Sequence, residues 1–224
     1  SIDMNNFYDI KEGDISLEVN NVEIIPSTFS SCNARINISG TIQNIIQGAF
    51  QYCSAGINIS GTIQSIGEEA FDSCEETIIE LYNSSIISIN NKPCSGGFYP
   101  TIYVLPSLVD EYKTKGINAN FYALQAKTIN GVKYAVKNDA AEFEVIGTED
   151  GASFADGIVN IIDNIYDLPV TSIRADAFNG QEISCILVPE LRYDSIHSNA
   201  GEYADKVFVN RGKVNIVDGH NTTL

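Results

Sequence analysis

The chain has 224 residues, 44% of them apolar, with a formal net charge of -16 and a pI of about 4.3. That length and apolar content suffice for one or two folded domains with a real core. The negative field repels phosphate backbones and anionic lipid head groups, which argues against a nucleic-acid partner. No stretch reaches the roughly 18 apolar residues of a membrane helix, so no membrane insertion is expected.

Residues 1–23 show no repeat and read as an N-terminal cap. No export signal is visible after Ser1, so localisation has to rest on other features. From residue 24 the pattern changes. Residues 24–44, IIPSTFSSCNARINISGTIQN, and residues 45–65, IIQGAFQYCSAGINISGTIQS, are self-similar at a period of 21. A third copy, residues 66–88, keeps the register with two extra residues, and a fourth, starting at Ile89, carries Cys94 where Phe is expected. Phe29, Phe50 and Phe71 therefore share one position, as do Cys32, Cys53 and Cys74, and both sets are expected to form interior ladders.

Within a copy, Ile57 and Ile59 have the two-residue spacing of a strand with one buried face, and Ser60, Gly61 and Thr62 supply turn chemistry after it. Asn58 then faces outward. Its equivalents are Asn37 and, allowing one inserted residue, Glu80, which together form the expected binding row of the outer strand face. Interstrand hydrogen bonding is the plainer use of such a row.

The pattern Ile-x-x-x-Ala-Phe-x-x-Cys at 45–53 and 66–74 resembles the BspA-like leucine-rich-repeat family of bacterial surface proteins. TIYVLPSLVDEYKT, 101–114, resembles the strand, proline and short helix that close such arrays. ILVPELRYDS, 186–195, resembles the same piece, and VTSIRADAFNG, 170–180, resembles another repeat opening. Cys94 for Phe, Gln181 for Cys and Ile for most leucines depart from the family pattern. The resemblance implies a cell-surface or secreted, bacterial, non-catalytic adhesion protein.

Ser107, with Asp110 three residues on, reads as a capping box for the first closing helix, and Gly116 as its stop. VKYAV, 132–136, and AEFEV, 141–145, alternate around Lys137, Asn138 and Asp139 and predict a β-hairpin with Tyr134 and Phe143 inward. KVFVN and KVNIV, on either side of Arg211 and Gly212, predict a second. Charge is unevenly placed. Arg35 is the only charged residue from 24 to 65, whereas 138–167 holds eight acids and no Lys or Arg.

Little points to catalysis. The five cysteines, at 32, 53, 74, 94 and 185, show no two-residue spacing of a zinc or redox motif. Burial of a small apolar side chain accounts for a Cys recurring with the repeat. His197 and His220 stand near the C-terminus without a nucleophile motif. Cys185, the one candidate partner of His197, sits at the strand position of Ile57 and reads as a buried structural cysteine. Glu68, Glu69, Glu75 and Glu76 read as solvated, and Glu149, Asp150, Asp156 and Asp163 match no calcium-loop spacing.

The fold expected is a β-rich α/β solenoid of leucine-rich-repeat coils with short strands, short closing helices and β-hairpin insertions. The segments are a cap (1–23), a repeat array with its closing helix (24–127), a hairpin connector (128–168) and a second short array (169–224). The function expected is recognition of a protein at the cell exterior, without cofactor or metal. The alternatives are a carbohydrate-binding accessory protein and a structural spacer. An exposed aromatic platform with amides beside it would favour a glycan, with Tyr8, Tyr52 and Tyr99 as the candidates.

Overall fold

The structure, a computed structural model, describes residues 7–95, 97–137 and 141–210, together with the backbone of residues 214–217 and 220–223. The chain divides between residues 124 and 125 into two compact units.

The first unit is built on one sheet. Strands β1 (Asp14–Ile24), β2 (Arg35–Ile45), β3 (Ile57–Ile66), β4 (Thr77–Leu81), β5 (Ser88–Ile89), β6 (Thr101–Val104) and β7 (Asn120–Ala123) are joined in the order β1-β2-β3-β4-β6-β7, with β5 on the far end of β3. Every pairing is parallel, and from β2 to β3 it runs in step with the repeat, Ile36 beside Ile57 and Ile45 beside Ile66. Isoleucine suits this arrangement because a β-branched side chain packs well on a pleated surface. Ile36, Ile38, Ile42 and Ile45 of β2 and Ile57, Ile59, Ile63 and Ile66 of β3 all point inward and are buried, each worth about 1.5–3 kcal/mol relative to exposure.

Ser60, Gly61 and Thr62, expected to turn the chain after a short strand, instead lie inside β3. The reason is Gly61, which has φ +153 and sits so close to the neighbouring strand that a Cβ would meet the Gly40 carbonyl oxygen at 1.8 Å. Gly40, φ +115, lies against the Val19 carbonyl in the same way. The glycines bend the strand without ending it, and pairing carries on through Gly40↔Gly61 to Thr41↔Thr62.

The return segments repeat as faithfully as the strands. Ser27, Gly48 and Glu69 have left-handed backbone, as do Ser31, Tyr52 and Ser73 four residues later in each copy. Between them the Phe29, Phe50 and Phe71 amides donate to the Ala49, Ala70 and Pro93 carbonyls of the following copy, at 2.9 Å each. Pro93 therefore occupies the alanine position, which puts Cys94 at the phenylalanine position. At the other end Phe7 stacks on Phe29, with ring centroids 5.1 Å apart. The segment read as a cap thus carries a repeat of its own, with Asp9 left-handed at the position of Ser31 and β1 as its strand.

After β6 a 3-10 turn (Pro106–Leu108) leads into helix α1 (Val109–Thr114). The Ser107 capping box does not form. Ser107 lies within the 3-10 turn, the helix is preceded by Leu108, and no side chain caps it. Gly116, with φ +67, follows the helix end as expected. Tyr112 of α1 stacks on Phe121 of β7, and its hydroxyl accepts the Ile87 amide at 2.9 Å.

The second unit mixes directions. β8 (Lys127–Ile129), β9 (Val132–Val136), β10 (Phe143–Thr148), β12 (Asn164–Ile165) and β13 (Leu168–Ile173) form a sheet ordered β12-β13-β10-β9-β8. The β9–β10 pairing is antiparallel, with Tyr134 and Phe143 fully buried; Asn138 and Asp139 of its loop lie outside the described residues. β10 also pairs with β13, in parallel, so the strands read as a connector belong to the same sheet as the repeat opening at 170–180. β8 joins β9 through Asn130-Gly131, both with positive φ, a two-residue hairpin turn.

β11 (Ile158–Asn160), β14 (Cys185–Val188) and β15 (Val207–Val209) make a parallel three-stranded sheet, with helix α2 (Tyr193–Ser198) between β14 and β15. The hairpin expected from KVFVN and KVNIV is not formed. β15 lies parallel to β14, and β16 (Val214–Val217) pairs antiparallel with β17 (His220–Thr223). A strand that returns through a helix comes back parallel, as β7 does beside β6. Arg211 and Gly212 lie outside the described residues.

Candidate functional site

The repeats produce two kinds of column, one inside and one outside. Inside, Phe29, Phe50 and Phe71 stack with centroids 4.9 and 5.2 Å apart. The cysteines reach back along the same direction. The Cys53 thiol donates to the Phe29 carbonyl at 3.0 Å and the Cys74 thiol to the Phe50 carbonyl at 2.9 Å. All five cysteines are free. Burial pushes the Cys32 and Cys94 thiols up, and the neighbouring Cys74 thiol together with burial does the same to Cys53. Such thiols are protonated and inert.

Asp72 is the charged group set deepest among these returns, 7% exposed. It accepts the Ser95 amide at 2.9 Å and the Ser95 hydroxyl. The bonds from Ser95, with further ones from Gln51 and Ser73, hold its carboxyl below the ordinary 3.8. It fastens the loop after Cys94.

Outside, the strands align their polar side chains. Asn37 and Asn58 stand side by side, and the Asn58 amide donates to the Asn37 carbonyl oxygen at 3.0 Å. The bonding continues in parallel rows. Ser65 donates to Asn44 at 2.6 Å and Asn44 to Glu23 at 3.0 Å, and in the returns just before the strands Ser54 donates to Asn33 at 2.6 Å.

Glu80 does not continue the asparagine row. The residue beside Asn58 is Ile78, and Glu80 lies beside Ser60, whose hydroxyl donates to it at 2.8 Å. The physical reason is where the third copy changes length. Cys74 keeps the 21-residue step from Cys53, but Thr77 pairs with Ile57, a step of 20, and Ile89 pairs with Ile66, a step of 23. One residue is lost before the strand and the extra ones follow it, so an insertion counted ahead of Glu80 shifts it to the wrong row.

Followed along the sheet, the asparagine row is Ser16, Asn37, Asn58, Ile78, Thr101 and Asn120. The neighbouring row is Glu18, Ser39, Ser60, Glu80, Tyr103 and Tyr122. The last two rings lie 5.9 Å apart at 38°, and Tyr122 is 52% exposed. Tyr8, Tyr52 and Tyr99, the tyrosines singled out from sequence, are exposed but lie outside the strands: Tyr8 and Tyr52 in return segments, Tyr99 in the loop before β6. The signal for the other pair was available, since Tyr103 alternates with Ile102 and Val104.

In the second unit Cys185 is half-buried. Ile186 and Val188 take the inward positions of β14, so Cys185 faces the other way from Ile57. His197 stacks on Tyr193 of α2, centroids 5.2 Å apart. Of the acidic span, Asp163 pairs with Arg192 at 2.6 Å. Among the described residues no three of His, Cys, Asp and Glu stand close enough to hold a metal ion, and no helix is long and apolar enough to cross a membrane.

Parallel strands recurring at one short period, each with an inward aliphatic row and a return carrying Phe and Cys, define a leucine-rich-repeat region. Residues 1–109 match the family model described as BspA type Leucine rich repeat region (6 copies), and this part of the chain belongs to that family. No curated protein and no solved structure matches the chain.

Proposed function

We propose that the chain is a non-catalytic recognition module of a bacterial cell-surface or secreted protein, a leucine-rich-repeat solenoid whose outward strand face docks an adhesion partner. The carrying observation is the register. Equivalent polar side chains stand in line across β1, β2 and β3, one strand spacing of about 4.8 Å apart. Their mutual hydrogen bonds hold them in place before a partner arrives, which lowers the entropy cost of binding. The amides and hydroxyls of the β2 and β3 rows suit a protein surface, with hydrogen bonds and shape rather than charge supplying the affinity.

The test is capture of the purified chain on an immobilised panel of extracellular-matrix proteins at two salt concentrations. A partner held by the outward face is lost when Asn37 and Asn58 are both replaced by lysine, and wild-type capture changes little with salt. Capture that survives the double replacement in a normally folded chain, or that fades steeply as salt rises, overturns this reading. So does a wild-type chain that captures nothing on the panel.

A further inference from the structure

At the β6–β7 end of the outward face the chemistry changes. In the two rows nearer β1 the strands present Ser16, Asn37 and Asn58 and Glu18, Ser39 and Ser60, whereas Tyr103 and Tyr122 place two aromatic rings side by side in the row that runs on from Glu80. Cross-strand aromatic pairs do stabilise sheets, and that accounts for the contact between the rings. The pairing leaves Tyr122 52% exposed on the last strand of the sheet, where no further strand among the described residues covers its ring.

Around the rings stand groups of every hydrogen-bonding kind. Asn120, exposed and two residues before Tyr122 on the same face, both donates and accepts. Lys113 of α1 shares an open depression with Asn120 and Tyr122. Glu80 supplies a carboxylate on the other side of Tyr103. One carboxylate and one ammonium leave the patch formally balanced, although the chain as a whole carries -16.

We infer that the Tyr103–Tyr122 pair, with Asn120, Lys113 and Glu80, is a subsite for a neutral glycan. One face of a pyranose ring is a layer of C–H groups that packs on the electron-rich face of an aromatic ring. Its hydroxyls each donate and accept, which matches a rim holding an amide, a carboxylate and an ammonium. The balanced charge sets this patch apart from an aromatic site for a cation, where carboxylates would outnumber ammonium groups. The subsite does not depend on the protein-partner reading, because the asparagine row and the tyrosine pair are separate positions on the face.

The experiment is saturation-transfer NMR and calorimetric titration of the full chain with neutral hexasaccharides of β-1,4-linked N-acetylglucosamine, β-1,4-linked glucose and α-1,4-linked glucose, with hexa-arginine as the cationic comparison. At least one hexasaccharide is expected to bind, with saturation passing to its ring C–H protons and little change with salt. Tyr122→Leu, which keeps an apolar strand residue, is expected to weaken binding by about tenfold or more. Tyr122→Phe, which keeps the ring, and Tyr52→Ala, which removes an exposed tyrosine elsewhere, should leave the affinity within about twofold. No binding by any hexasaccharide at millimolar concentration, equal affinity in Tyr122→Leu, or binding of hexa-arginine in their place would overturn the inference. None of these outcomes bears on capture through Asn37 and Asn58.

Discussion

In the first unit β6 is followed by a 3-10 turn, a six-residue helix and a strand that returns parallel to it. In the second, β14, α2 and β15 repeat the plan. The prolines differ by one place, Pro106 opening the 3-10 turn and Pro189 standing just before it. What precedes each closing piece is different. Behind β6 lie successive copies of one repeat, so phenylalanine stacks on phenylalanine. Behind β14 there is one repeat opening, and Phe178 meets the edge of Tyr203 at 80°, with its amide donating to the Tyr203 hydroxyl at 3.2 Å. The same local sequence therefore closes two different interiors. A periodic neighbour, more than the closing piece itself, makes a stacked column.

The largest effect expected from this comparison is at Phe50, which has a ring on each side. Phe50→Ala should destabilise the first unit by about 3–5 kcal/mol, the usual cost of emptying a buried Phe site. Phe178→Ala, with one aromatic neighbour, should cost its own unit less by about 0.5–1.5 kcal/mol, one ring pair. Hydrogen exchange read separately over residues 7–124 and 125–210 measures both. Equal losses would mean that the stack adds nothing beyond burial.

The second effect contrasts two glycines of the first unit. Gly61→Ala puts a methyl group against the Gly40 carbonyl, whereas Gly116, also at positive φ, has nothing within 4 Å of its would-be Cβ. The first substitution combines backbone strain with overpacking and should cost about 3 kcal/mol. The second should cost about 1–2 kcal/mol, the left-handed penalty alone. Denaturant midpoints of the two variants decide it, and a Gly61→Ala chain no weaker than Gly116→Ala would show that β2 and β3 are free to separate at the bend.

Much of the inner architecture was legible because its signals are local and repeated. Phe29, Phe50 and Phe71 are 21 residues apart, and a column follows from that spacing once the strands are parallel. The bend was not legible, because Ser60-Gly61-Thr62 has the composition of a turn and only the close approach to Gly40 shows that it lies within a strand. The first repeat was hidden because Phe7 stands 22 residues before Phe29 and Ile10 replaces the cysteine. Asn130-Gly131 was a hairpin signal passed over. At the outward face, the asparagine pair could be read from two identical copies, whereas Glu80 and the tyrosine pair depend on where the third copy loses and gains residues. That information lies in the pairing of Thr77 with Ile57.

The smallest effect tests that altered step directly. In the column of Ile36 and Ile57 the third copy places Thr77, whose hydroxyl is buried without a hydrogen-bond partner among the described residues. A lost water contact that no protein group replaces costs about 1–3 kcal/mol. Valine has the shape of threonine and no hydroxyl, so Thr77→Val should stabilise the first unit by about 1 kcal/mol. The matching change at Ile57, to valine, removes one methyl from a site already apolar and should destabilise by about 0.5–1.5 kcal/mol. Opposite signs at two neighbouring positions of one column are what the register Ile57↔Thr77 requires. If Thr77→Val destabilises instead, Thr77 is not in that column, and the third strand would return to the 21-residue step that places Glu80 elsewhere.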